Sequence, residues 1–196
     1  MVCSWQHNRV SCKIKYEMGN RIGTMDCKKV TLTFKRDELL YDIRNYTYIE
    51  GEAPKSSKSD AANESHDRHQ VQAAGDEGNV DRVTRVLDLA FAECVELCYP
   101  YTKAELPDVM MMDDALQEVN YTMQMHLPKD FSQTTVNLIE KSIHELLVCK
   151  VVADWMSINK PDSFANWQSK ANDAEKSVTK KLNARIGPVR RKMRPF

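Results

Sequence analysis

Histidine and cysteine spacing gives this chain a few places where chemistry could be assembled. His66-Asp67-Arg68-His69 sets two imidazoles at i and i+3. Zinc needs four nitrogen or sulfur ligands in tetrahedral geometry, and this polar stretch has no cysteine nearby and no predicted helix to fix one. Cys3, His7, Cys12 and Cys27 could form a second set on paper, but no C-x-x-C pair supports it. Ile143-His144-Glu145 runs into Leu146-Leu147-Val148 and lacks a second histidine at i+4, so His144 reads as a helix-face residue. Phosphate loops, nucleophile elbows and dinucleotide fingerprints are absent, and six glycines leave little material for phosphate cradles. The sequence therefore predicts no enzyme, with no catalytic residues, no metal and no cofactor.

Charge placement is the sharper signal. Lys plus Arg and Asp plus Glu both total 28, so the chain is neutral overall. From residue 176 to 196, however, Lys176, Lys180, Lys181, Arg185, Arg190, Arg191, Lys192 and Arg194 stand without one acid, a charge of +8. Residues 104 to 128 hold Glu105, Asp108, Asp113, Asp114 and Glu118 with no Lys or Arg, a charge of −5. Opposite patches steer association and fix its orientation. A basic segment of one copy against an acidic stretch of the next is a head-to-tail contact, which closes into a ring when the rotation permits. The rival use of such a segment is nucleic-acid binding, and a solvated terminus is the plain reading. Met110, Met111 and Met112, beside the acids, suit adaptable packing or a subunit contact.

These residues need elements to position them. Val10, Cys12, Ile14 and Tyr16 alternate with polar residues as a half-buried strand, Gly19-Asn20 marks a turn, and Ile22 and Met25 return as a hairpin. Val30, Leu32 and Phe34 give another short strand. From Arg36 the period becomes helical through Leu39, Leu40, Ile43 and Tyr46, with Asp37 and Glu38 at the positive end of the helix dipole. Residues 53–79 have Val71 as their only large aliphatic residue and cannot offset their ordering entropy. They are expected to form a mobile polar insert.

Val80, Val83, Val86, Leu87, Ala90, Phe91, Cys94, Val95 and Cys98 then trace a helical stripe. Val119, Tyr121, Met123, Met125 and Leu127 alternate with polar residues in the clearest strand of the chain. A helical hairpin follows. Asp130 or Ser132 caps its first helix, and Val136, Ile139, Ile143, Leu146, Leu147, Val151, Trp155 and Ile158 line the buried face. Asn159 ends that helix and Pro161 opens the next, where its missing N–H costs nothing. Phe164, Trp167, Ala171, Ala174, Val178 and Leu182 continue to a stop at Gly187-Pro188. The two tryptophans are expected to wedge the hairpin seam.

The expected fold is α+β: mainly helical, with a long C-terminal antiparallel hairpin, an N-terminal β-hairpin and a strand near 119–127. The expected organisation is 1–52 with β strands and a short helix, 53–79 as insert, 80–187 as helical body and 188–196 as basic tail. No run approaches the ~20 apolar residues of a membrane span, and the first residues lack the apolar stretch of a signal peptide. A cytoplasmic origin with free thiols at all six cysteines is the expectation.

Laid out this way, the C-terminal half resembles the head–tail connector, or adaptor, proteins of tailed bacteriophages. The resemblance is carried by the hairpin from Ser132 to Arg185. Within it, Val148-Cys149-Lys150-Val151-Val152-Ala153-Asp154-Trp155-Met156 leads to the turn Asn159-Lys160-Pro161. The chain then closes on Arg190-Arg191-Lys192-Met193-Arg194-Pro195-Phe196. With helix 80–98 and strand 119–127 it covers about two-thirds of the chain. The N-terminal strands and the 53–79 insert exceed the usual compact connector. What the resemblance implies is a structural virion protein of the neck, made in the host cytoplasm. It would form a homo-oligomeric ring, typically of twelve subunits. Its partners would be the portal protein and other neck or tail proteins, with passing contact to packaged DNA in the channel. The alternative is a nucleic-acid-binding regulator using the basic C-terminus, although no helix-turn-helix pair is evident.

Overall fold

A computed structural model describes residues 3–8, 11–18, 21–52, 68–99, 101–103, 119–128 and 131–183. Strands β1 (Cys3–Asn8), β2 (Ser11–Met18) and β3 (Arg21–Lys35) lead into helix α1 (Arg36–Glu52). A helical turn at 68–72 and a 3-10 turn, Ala73–Gly75, precede α2 (Glu77–Leu97). Strand β4 (Asn120–Pro128), α3 (Gln133–Asn159) and α4 (Pro161–Leu182) complete the order. The fold is α+β, as expected.

The sheet is antiparallel throughout, in the order β1-β2-β3-β4. Met18 pairs with Arg21, so the predicted hairpin about 19–20 is present. Two expectations change here. The return strand and the 30–34 strand are a single strand, β3, which pairs with β2 up to Cys27 and with β4 from Cys27 onward. The polar run Asp26-Cys27-Lys28-Lys29 at the change of partner hides this continuity from a period-two reading. Strand β1 was not anticipated at all.

Alternation in β4 is as the sequence requires: Tyr121, Met123, Met125 and Leu127 are buried and the residues between them are not. Val119, assigned to the same face, is instead 71% exposed just ahead of the strand. Its carbonyl accepts the Arg36 N–H at 3.1 Å, tying the start of β4 to the β3–α1 junction. On the other side of β4, the His126 N–H donates to the Tyr101 carbonyl at 2.8 Å.

Helix α3 is the centre of the core. It packs against α1, α2 and α4, and its middle is buried on several faces: Leu146 through Cys149, Val151 through Ala153, Trp155 and Met156. The sequence stripe predicted one buried face. The extra apolar residues between the stripe positions are explained by helices covering other sides. Ser132 is its N-cap, the hydroxyl accepting from the Thr134 N–H at 3.2 Å. Ile158 (55% exposed) and Phe164 (37%) were placed on buried stripes but lie where no described element covers them fully. Pro161 opens α4 as expected. The helix ends at Leu182 rather than at Gly187-Pro188. Asn183 caps it, its side-chain amide donating to the Thr179 carbonyl at 2.9 Å.

The insert also divides. Residues 53–67 lie outside the described residues, whereas 68–75 and 77–79 are helical on either side of an extended Asp76, with Val71 and Ala74 each 2% exposed. The lone aliphatic that looked too little to order the segment is an anchor in the core.

Candidate functional site

The predicted interaction residues fall unequally. Arg185, Arg190, Arg191, Lys192 and Arg194 lie outside the described residues, as do Glu105, Asp108, Asp113, Asp114 and Glu118. Lys176 and Lys180 are exposed on the last turns of α4. Lys176 meets Asp173 at 3.4 Å in a pair 78% and 72% exposed, which is worth little and leaves the ammonium open to other anions. Lys181 turns inward, and its ammonium donates to the Ser142 hydroxyl on α3.

Both tryptophans are buried, at 5% and 2% exposure, and each indole N–H reaches an element outside the hairpin. The Trp155 indole N–H donates to the Val71 carbonyl at 2.9 Å, so Trp155 fastens the 68–72 turn to α3. The Trp167 indole N–H donates to Glu50 Oε1 at 3.0 Å, and its ring meets Tyr46 edge-on at 5.1 Å. Lys170 Nζ sits 3.9 Å from the ring centroid. Through these bonds the pair ties the 68–72 turn and the end of α1 to the hairpin.

Glu50 is the residue that sequence reasoning missed. Its carboxylate accepts from Trp167, from Ser163 at 3.0 Å and from Lys160 Nζ at 3.3 Å; that ammonium also donates to the Glu50 carbonyl at 2.7 Å. Burial pushes its carboxyl pKa up, but the bonds from Ser163, Trp167 and Lys160 outweigh this and hold it below the usual value. The end of α1 is thereby pinned to the α3–α4 turn. No local signal marks it, because its donors lie 110 to 117 residues away.

Among the described residues the histidines and thiols serve packing and pairing. Among the described residues no group of three His, Cys, Asp or Glu could hold a metal ion. His144 Nε2 lies 2.8 Å from Asp42 Oδ2, joining α3 to α1. Burial pushes the thiols of Cys94, Cys98 and Cys149 up to about 12. Since the thiolate is the nucleophile and ligand, these are core residues and not reactive ones.

One groove of about 440 Å³ opens between α2, α3 and α4. At one end Lys150 contacts Glu93 at 2.5 Å and Glu175 at 3.9 Å, so two carboxylates share one ammonium. Leu89, 62% exposed, and Phe164 supply its apolar surface. Among the described residues no helix is long and apolar enough to cross a membrane. Compared with known families, with curated proteins and with solved structures, the chain has no significant match.

Proposed function

We propose that this chain is a structural subunit of a phage neck: a head–tail connector that assembles as a ring between portal and tail and does no chemistry. The observation that carries the reading is charge segregation, +8 over 176–196 against −5 over 104–128 in a neutral chain. A subunit with opposite patches can join head to tail with a copy of itself or with an acidic portal surface. The rigid α3–α4 pair supports this, because its packing directs the basic end of α4 outward at Lys176 and Lys180.

The test is a full-length variant with Arg190, Arg191, Lys192 and Arg194 changed to Gln. It is assayed separately for duplex DNA binding and for joining to portal-bearing heads. The expected result is loss of joining, with negligible DNA affinity already in the parent. A parent that binds duplex tightly, and a variant that loses only that binding, would replace this reading with a nucleic-acid-binding regulator.

A further inference from the structure

We infer that the outward face of α1 in one copy of the chain docks in the groove between α2, α3 and α4 of the next copy. Helix α1 buries Leu39, Leu40, Ile43 and Thr47 against its own core. Its opposite side leaves Tyr41 70%, Tyr48 57% and Ile49 55% exposed, with Arg44 also exposed among them. Tyr41, Arg44 and Tyr48 stand at i, i+3 and i+7, the spacing of anchors on a helix that lies in a groove. Tyrosine and arginine are also the side chains on which interface energy concentrates once a pocket removes them from water.

The groove offers the matching surface. Helix α3 is its floor, and α2 and α4 are its walls. Glu93 on α2 and Glu175 on α4 share the single ammonium of Lys150, at 2.5 Å and 3.9 Å, which leaves an excess of negative charge. A guanidinium entering between the walls balances it with a planar donor set suited to a carboxylate. Arg44 donates to the Gly75 carbonyl at 3.1 Å, and a guanidinium has further N–H groups to give. Spacing agrees with charge. Leu89 lies four residues, ~6 Å, from Glu93 along α2, and Tyr48 lies the same distance from Arg44 along α1. One register therefore sets Tyr48 and Ile49 against Leu89 and Phe164 while Arg44 meets the carboxylates. Tyr41 to Ile49 spans ~12 Å, which fits within the ~17 Å from Phe164 to Glu175.

A second copy is what brings the two surfaces together. Within one chain α1 is fixed to α3 by the Asp42–His144 pair at 2.8 Å and to the α3–α4 turn by Glu50, so its outward face cannot turn to its own groove. Because the two surfaces differ, the contact is heterologous: each copy gives α1 to one neighbour and its groove to another, and the series closes when the rotation permits. The inference rests on the assembly reading above and names where copies meet.

The experiment places a photo-crosslinking phenylalanine analogue at position 48 of the full-length protein. Isotopically light and heavy chains are mixed at high concentration, and the products are mapped by mass spectrometry. Links from light to heavy chains at 86–93 or 164–175, rising with concentration, are expected. Arg44→Glu and Glu175→Arg should each lower their yield several-fold, and the two together should restore it, because the charges are then exchanged across the contact. Both positions are at the surface, so far-ultraviolet circular dichroism of every variant should match the parent. Absence of links between chains, links to other surfaces, or a yield indifferent to the single changes would each overturn the proposal, as would a double variant no better than the singles. Heads and portals play no part, and residues 176–196 are unaltered throughout. Links without joining to heads leave this contact standing and remove the connector reading, whereas joining without links removes this contact alone.

Discussion

Glu50 shows how one side chain can decide the position of an element. Its carboxylate is the common acceptor for Lys160, Ser163 and Trp167, and the Glu50→Gln variant weakens all three bonds at once. Hydrogen bonds to a charged group are worth ~1.5–3 kcal/mol, and partial retention by the amide puts the expected loss at about 1–3 kcal/mol. The sign with pH follows from the lowered pKa. The unfolded carboxyl titrates near its ordinary value of 4.5 and the folded one below it. The charged form therefore stabilises the fold fully above 4.5, and that contribution disappears as pH falls through the folded value. Urea unfolding of parent and variant should show a constant gap near neutral pH that narrows in acid. The buried thiols give a second expectation at this scale. Modification of Cys94, Cys98 and Cys149 by a thiol reagent should be limited by opening of the fold, and should accelerate in step with unfolding as denaturant is added.

At the scale of elements, α3 is a post to which the others are tied, and the ties are specific. Trp155→Ala removes both a buried ring and the donor to the Val71 carbonyl, and should cost ~3–5 kcal/mol. Trp155→Phe keeps most of the ring and isolates the lost N–H, at about 1 kcal/mol. Trp167→Ala should cost a similar ~3–5 kcal/mol, since its ring is packed on Tyr46 and its N–H spent on Glu50. The two losses differ in where they act. Hydrogen exchange should show the 68–72 turn released by the Trp155 change and the end of α1 released by the Trp167 change. Release of neither segment, or unchanged unfolding midpoints in both alanine variants, would contradict these ties.

For the whole molecule, the proposed assembly rests on charge that is neutral in sum and divided along the sequence. Exposed charges are screened beyond ~8 Å at physiological salt, so joining to a neighbour or a portal should weaken steadily as salt rises. It should also slow more than it loses affinity, because complementary patches act chiefly on the association rate. Stopped-flow light scattering across a salt series would check this. A joining rate independent of salt would remove charge as the basis of assembly. Duplex DNA binding carries its own salt dependence, so the comparison with the four-residue Gln variant is what separates the two partners.

The sequence by itself determined what depends on neighbours in the chain. The alternation of Tyr121, Met123, Met125 and Leu127, the hairpin about 19–20 and the turn before Pro161 follow from local periodicity and backbone preference and were legible; the cap was narrowed to Asp130 or Ser132, and the structure takes Ser132. The tertiary structure decided what depends on arrivals from far away. Spacing groups residues on one face of a helix or strand but does not say whether a partner covers that face. Leu146 through Cys149 are therefore buried around α3, while Val119, Ile158 and Phe164 are left exposed. Val71 orders its polar segment only because Trp155 reaches it from 84 residues away. Glu50 becomes a half-buried shared acceptor only because the start of α4 and the α3–α4 turn bring three donors to it at once.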